Sequence, residues 1–138
     1  MKKLVFAFSA LLMVFMLASC GNPAERIAKL AEDIEDNGDD WEDPDKWESV
    51  IRDFYDAFIE FSESDPTEEE FEDFKDACTD FYKAGRNLSK KADRASEKGA
   101  RAVEKDKDLQ KKIKAANKKL DKIREKIRKQ KEKEDDDD

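Results

Sequence analysis

Residues 45–82 read DKWESVIRDFYDAFIEFSESDPTEEEFEDFKDACTDFY, and this stretch decides the fold. Its apolar residues recur every three or four positions, which is the spacing of one face of an α-helix. Ser64-Asp65-Pro66 interrupts the pattern once, so the stretch predicts two helices joined by a short loop. Because both helices carry aromatic stripes, we expect an antiparallel hairpin whose aromatic faces meet. The stripes consist of Trp47, Val50, Ile51, Phe54, Tyr55, Phe58 and Phe61, and of Phe71, Phe74, Cys78, Phe81 and Tyr82.

Capping signals place the ends of these two helices. Asp45 and Glu48 have the spacing of a capping box, with Asp in place of Ser or Thr, and predict the start of the first helix. Thr67 and Glu70 form the same signal for the second helix. Gly85 is the expected stop.

An amphipathic helix is also predicted before the hairpin. Pro23 can open it, and apolar residues at helical spacing continue to about Asp36, where Asn37-Gly38 ends the pattern. The acidic stretch 36–45 that follows suggests calcium, but an EF-hand loop starting at Asp33 would place Pro44 where the bidentate Glu belongs. A solvated turn is the favoured interpretation, and weak, nonspecific divalent binding is the alternative.

Beyond the hairpin the apolar content falls and then recovers. Gly99 predicts a weak point or break in the helical pattern. A second seam follows at alternating spacings of four and three, which is a heptad pattern for about two and a half repeats. This length favours the narrow face of a long amphipathic helix packed on the hairpin, with self-association or a helical envelope partner as alternatives. The seam consists of Leu109, Ile113, Ala116, Leu120, Ile123 and Ile127.

The charge is divided along the chain. Residues 20–82 contain 23 acidic and 5 basic residues, whereas residues 83–134 contain 21 basic and 9 acidic residues. Segments of opposite sign attract one another over a Debye length, roughly 8 Å at physiological salt. We therefore expect the basic segment to fold back on the acidic one, and binding of separate partners by each segment is the alternative.

The residue inventory argues against an enzyme. The chain contains no His, which removes the commonest general base and the commonest transition-metal ligand. It also lacks a glycine-rich phosphate loop and a paired nucleophile and base, so no catalytic residue, metal site or cofactor is predicted. Cys78 lies on an apolar stripe, which favours a buried structural cysteine over a reactive thiol or an intermolecular disulfide.

The N-terminus carries the pattern of a secretory signal. Lysines at positions 2 and 3 precede a mostly apolar run over residues 4–17. That run fits a signal peptide and is shorter than the roughly 20 apolar residues of a transmembrane helix.

The sequence Leu17-Ala18-Ser19-Cys20-Gly21 resembles the bacterial lipobox. The resemblance implies a diacylglycerol thioether on Cys20, cleavage before it, and acylation of the new amino group. Overall the chain is similar to small, helical, functionally uncharacterised lipoproteins of Gram-negative bacteria, particularly the Bacteroides type. In that group an acidic run directly after the lipidated cysteine resembles a surface-export signal. Here residues 21–24 are uncharged, which favours an outer-membrane anchor facing the periplasm and leaves surface exposure as the alternative.

These observations predict an all-α protein, a small helical bundle or helical hairpin with a long charged C-terminal helix. The expected segments are a signal peptide (1–19), a lipidated tether (20–23), an acidic helical hairpin core (24–84), a basic amphipathic segment (85–133) and an acidic disordered tail (134–138).

The expected function is that of a lipid-anchored, non-enzymatic structural or protein-interaction module of the cell envelope. The expected partners are the membrane, through lipid on Cys20, and an envelope protein or a second copy, through the C-terminal helix. Anionic headgroups could also meet the basic segment. Nucleic acid is not expected, because the basic segment lacks interleaved aromatic residues. The alternative function is binding of a lipid or other amphiphile by the aromatic faces of the hairpin.

Overall fold

The computed structural model describes residues 22–136, and within this range the chain forms five α-helices and no strand. The predicted all-α helical bundle is therefore confirmed. The predicted signal peptide (1–19) and Cys20 lie outside the described residues. The helices are α1 (Pro23–Asn37), α2 (Pro44–Ser62), α3 (Glu68–Ala84), α4 (Lys90–Glu104) and α5 (Lys107–Asp136), and a 3-10 turn (Gly38–Asp40) follows α1.

Local capping signals start α1 and α3 at their predicted positions. At α1, the Asn22 side chain accepts a hydrogen bond from the backbone N–H of Glu25, and Pro23 is the first helical residue. At α3, the Thr67 hydroxyl accepts from the N–H of Glu70, whose carboxylate accepts from the N–H of Thr67. The predicted capping box is confirmed.

The predicted start of α2 was wrong by two residues. Asp43, not Asp45, caps the helix, and its carboxylate accepts a hydrogen bond of 3.0 Å from the backbone N–H of Asp45. Pro44 is the first helical residue. Proline is favoured there because that position needs no N–H donor and the proline ring fixes a helical φ.

The interior contains two clusters of buried residues. The first joins α1, α2, α3 and α5, and the second joins α1, α2, α4, Trp41 and the end of α3. Both contain residues beyond position 84, so the packed core extends into the basic part of the chain. The first cluster consists of Ile27, Phe54, Ala57, Phe61, Phe71, Phe74, Ala77 and Leu120. The second consists of Ala31, Ile34, Trp41, Trp47, Val50, Ala84, Ala92 and Ala95.

Helices α2 and α3 form the predicted antiparallel hairpin. The Phe61 ring near the end of α2 stacks on Phe74 with 3.9 Å between centroids, and Phe54 stacks on Phe81 at 4.4 Å. The end of α2 thus meets the beginning of α3. The most extensive backbone contacts, however, join α1 to α3 and α2 to α4. Large rings bridge the wider space between α2 and α3.

The sequence predicted a weak point or break at Gly99. In the structure Gly99 does not break the helix and lies inside α4. It is buried against the first turn of α2, where a Cβ atom would lie 2.7 Å from the backbone N of Glu48 and 2.8 Å from Cβ of Trp47. Glycine is required because the two backbones approach so closely. The break falls at Lys105 and Asp106, where Asp106 caps α5 by accepting from the N–H of Leu109.

Helix α5 continues to Asp136, three residues into the tail that the sequence predicted to be disordered. Residues 128–134 contain only Arg, Lys, Gln and Glu, which are good helix formers, and neither Gly nor Pro stops the helix. Across the described residues, none of the helices is both long and apolar enough to cross a membrane.

Candidate interaction surfaces

The aromatic residues predicted as a core or partner face are mainly packed against one another. Trp47, Phe54, Phe71 and Phe74 are buried, whereas Phe58 and Phe81 are half-buried. Phe54 contacts Phe58 and Phe81, and Phe58 contacts Phe74. These rings fill the space between α2 and α3, so their faces are occupied by each other.

The apolar seam of α5 turns toward the bundle. Leu109 and Leu120 are buried, and Ile113, Ile123 and Ile127 are half-buried. Leu120 belongs to the first cluster, against which Ile123 and Ile127 pack. The C-terminal helix is therefore docked on the acidic hairpin in this structure.

Three lysines of α5 pair with the loop between α2 and α3 and with the start of α3. Lys119 lies 3.5 Å from Glu63, Lys126 lies 3.2 Å from Asp65, and Lys131 lies 2.6 Å from Glu68. The expected attraction between the basic and acidic segments is thus present. Because all six side chains are substantially exposed, these pairs add orientation more than stability.

Arg52 on α2 contacts the junction between α4 and α5. Its guanidinium binds Glu48 at 2.9 Å and Asp106 at 2.8 Å. The hydrogen bond from Arg52 lowers the pKa of Asp106, to which the backbone N–H of Leu109 also donates. One carboxylate thus caps α5 and ties its first turn to α2.

A row of four lysines occupies the outward face of α5 and is named here the basic stripe. The residues are separated by four, three and four positions, so they share one side of the helix. All four are exposed, and none has a carboxylate within 4.0 Å among residues 22–135. The basic stripe consists of Lys107, Lys111, Lys114 and Lys118.

A row of four carboxylates on the outward face of α3, named the acidic stripe, has the same spacing. Its residues are exposed, and none lies within 4.0 Å of a lysine or arginine nitrogen in the described part of the chain. The neighbouring Glu68 and Glu72 are the α3 carboxylates that do form ion pairs. The acidic stripe consists of Glu69, Asp73, Asp76 and Asp80.

An open groove of about 530 Å³ lies between α1 and α3, beside the acidic stripe. Its apolar part comes from small alanines and Phe61, whereas its polar part is mainly carboxylate. The groove is lined by Asn22, Pro23, Ala24, Glu25, Ala28, Phe61, Ser64, Glu70, Asp73, Asp76, Ala77 and Asp80.

The acidic stretch between α1 and α2 is more than a solvated turn. Trp41 is buried within it, and its carbonyl accepts a 2.7 Å hydrogen bond from the indole N–H of Trp47. The two indole rings meet edge to face at 5.0 Å. The nearby carboxylates stay exposed, and no group of three or more Asp, Glu or Cys residues within 22–136 is arranged to hold a metal ion.

Cys78 is half-buried beside the aromatic core, and burial raises the pKa of its thiol from 9.0 to about 12. The thiol therefore stays protonated at neutral pH, where only a thiolate would react. Because the folded state raises the pKa, this group's contribution to stability is present below pH 9 and is lost as the pH rises toward 12.

We expect Cys78 to react with iodoacetamide at about pH 8 at least roughly 100-fold more slowly than an exposed thiol, because its thiolate fraction is so small. The matched control is the double variant Cys78→Ser/Thr79→Cys, which moves the thiol one residue onto the exposed face of α3. Both proteins carry Cys20→Ser, and mass spectrometry follows the alkylation. Equal rates would show that burial does not protect the thiol.

No family model, no curated protein and no solved structure matches the chain.

Sequence reasoning located the buried faces but missed the two matched stripes, the groove and the Arg52 contacts. The stripes had a readable signal, since four of the lysines in 107–118 and four of the carboxylates in 69–80 repeat with the same spacing. The groove had no such signal, because it depends on how closely α1 and α3 approach.

Proposed function

We propose that the chain is a lipid-anchored cell-envelope protein whose helical bundle is a non-enzymatic interaction module. The observation that carries this proposal is a row of unpaired charge of one sign on each of two outward helical faces, the basic stripe and the acidic stripe. Unpaired charges of one sign in a row create a local field that steers and orients a partner of opposite charge. Surfaces of this kind suit recognition, and the histidine-free sequence gives little material for catalysis.

The proposed anchor is lipid on Cys20, supported by the lipobox resemblance of residues 17–21. Helix α1 begins at Pro23, three residues after that cysteine. A bundle attached by so short a tether would be held next to the membrane surface. The uncharged residues after Cys20 support an outer-membrane anchor facing the periplasm. Two or three acyl chains would hold it stably, since each buried methylene contributes about 0.8 kcal/mol.

The alternative, binding of a lipid or other amphiphile by the aromatic faces of α2 and α3, has less support. Phe54, Phe58 and Phe74 contact one another or neighbouring rings across that space. A ligand there would have to displace packed side chains, which is costly in a close-packed interior.

We expect Cys20→Ala to abolish incorporation of labelled palmitate and to move the protein from the membrane fraction, because the acylated atom is removed. Cys78→Ala is the matched control, since it removes the other cysteine of the mature chain and leaves the lipobox intact. Labelling in intact bacteria followed by fractionation measures both effects. Label retained in Cys20→Ala would contradict the proposed anchor, and crosslinking in the same cells would identify partners of the module.

A further inference from the structure

We propose that the basic stripe of α5 docks against the acidic stripe of α3 in a second copy of this chain. The inference rests on the interaction module proposed above and names its partner. It does not require the lipid anchor, so it can be tested separately from it.

The first argument is the matched spacing of the two stripes. The basic stripe and the acidic stripe each place four charges at steps of four, three and four residues. At 1.5 Å per residue, each stripe spans roughly 16 Å of helix. The order four, three, four reads the same in both directions, so all four lysines can face four carboxylates whether the two helices run parallel or antiparallel.

The second argument is that one molecule cannot pair its own stripes. Helix α5 packs on α2, and α3 packs chiefly on α1. Lys118 lies two residues from both Ala116 and Leu120, which are buried, so it points roughly 200° around the helix from either of them. Asp76 is likewise exposed between Phe74 and Ala77, which are buried. Each stripe is exposed and unpaired within its own molecule, so a protein group that pairs with it has to come from a second molecule.

The third argument is the groove between α1 and α3, which Asp73, Asp76 and Asp80 also line. Its apolar wall of alanine side chains suits the hydrocarbon stem of lysine, while the carboxylates receive the ammonium group. A row of lysines from another helix thus matches both the shape and the charge of this surface.

The predicted contact is heterologous, because the surface donated by one copy differs from the surface that receives it. Each contact leaves a free acidic stripe on one copy and a free basic stripe on the other, so the assembly is head-to-tail and either grows as an open chain or closes into a ring. Exposed ion pairs are individually weak, so association depends strongly on salt and concentration. Confinement to a membrane plane would raise the effective concentration and favour the contact.

The test uses the chain from residue 20 onward with Cys20→Ser, which retains every described residue and both core clusters. Sedimentation equilibrium at about 0.02 M and about 1 M salt should show a mass that rises with protein concentration at low salt only. At low salt we expect the association constant to fall at least about tenfold in the basic-stripe variant Lys111→Glu/Lys114→Glu/Lys118→Glu.

The matched control is Lys90→Glu/Lys91→Glu/Lys98→Glu, which makes the same change in net charge at exposed lysines of α4. This control should still associate. The acidic-stripe variant Asp73→Asn/Asp76→Asn/Asp80→Asn should be monomeric alone and should form a one-to-one complex with the basic-stripe variant, because that pair retains one matched contact.

Three results would overturn the proposal: a chain that stays monomeric at low salt, an α4 control that loses association to the same degree, or variants that fail to form the mixed complex. Flotation with anionic vesicles adds a further outcome. If the chain is monomeric but binds vesicles through the basic stripe, the stripe recognises lipid headgroups and the proposal fails.

Palmitate labelling of Cys20→Ala reports on the anchor independently. Should a variant misfold by circular dichroism, carbodiimide crosslinks between two copies of the unsubstituted chain at low salt should join lysines of the basic stripe to carboxylates of the acidic stripe, and their absence would overturn the proposal.

Discussion

Replacing Gly99 by Ala will lower the free energy of unfolding by about 2 kcal/mol or more, although alanine is favoured over glycine in a helix interior by about 1 kcal/mol. The new Cβ atom would lie 2.7 Å from the backbone N of Glu48, 2.8 Å from Cβ of Trp47 and 3.0 Å from the carbonyl oxygen of Pro44. Two of these are backbone atoms and the third is fixed to the backbone, so α4 must move away from α2.

Urea denaturation followed by circular dichroism measures this loss, which corresponds to a melting temperature lower by roughly 8 °C. Gly85→Ala is the matched control. Its Cβ atom would meet only carbonyl oxygens of Phe81 and Tyr82, at 3.9 and 3.6 Å, and its φ of −79° suits any residue. We expect that change to be nearly neutral. A Gly99→Ala protein as stable as the parent would mean that α4 and α2 do not approach as closely as described.

Truncating Phe54 to Ala will cost about 3–5 kcal/mol, the range found for buried phenylalanines. Its side chain is 1% exposed and stacks on Phe81 at 4.4 Å between ring centroids. The ring also contacts Tyr55 and Phe58. Its loss leaves a cavity at the centre of the aromatic packing between α2 and α3, where rigid neighbouring helices limit collapse.

The matched control is Tyr82→Ala, which removes an aromatic ring from the rim of the same packing. Tyr82 is 55% exposed, so we expect a loss of less than about 1 kcal/mol. Thermal and urea unfolding of both variants give the comparison. Similar losses from the two substitutions would be inconsistent with a core centred on Phe54.

Features that depend on a few neighbouring residues could be predicted from the sequence. The Thr67–Glu70 capping box is specified by four residues, and the aromatic stripes of α2 and α3 by simple helical periodicity. The start of α2 was missed because two cap signals overlap at Asp43 and Asp45. Pro44 lies between them and favours the earlier start by the same rule that places Pro23 first in α1, but the capping-box spacing of Asp45 and Glu48 outweighed it in the prediction.

Features that depend on tertiary contact could not be predicted in the same way. Gly99 carries a helix-breaking propensity, but the demand for close packing on α2 places it inside α4. Neither Lys105 nor Asp106 is a Gly or a Pro, although the chain bends there between α4 and α5. Arg52 on α2 holds the start of α5 through Asp106. Trp41 lies in a highly acidic stretch, so local composition hid its burial against Trp47.

The candidate surfaces also combine features that the sequence predicts with features that depend on tertiary contact. The apolar seam of α5 was visible as a heptad pattern, and its lysines as an overall positive charge. Which lysines pair within the molecule and which face outward depends on how α5 rests on α2. That arrangement separates Lys119, paired with Glu63, from its neighbour Lys118 on the outward face.

The most extensive helix pairings alternate along the chain, first with third and second with fourth. A nascent polypeptide is synthesised from its N-terminus onward. Helix α1 can therefore form its main contacts only after α3 has been made, and α2 only after α4. The shortest stretch of chain that contains all four of these helices is residues 23–104. The contacts between α1 and α3 therefore become possible only after residue 84 has been made, and those between α2 and α4 only after residue 104, so most of the chain must be synthesised before its core can close.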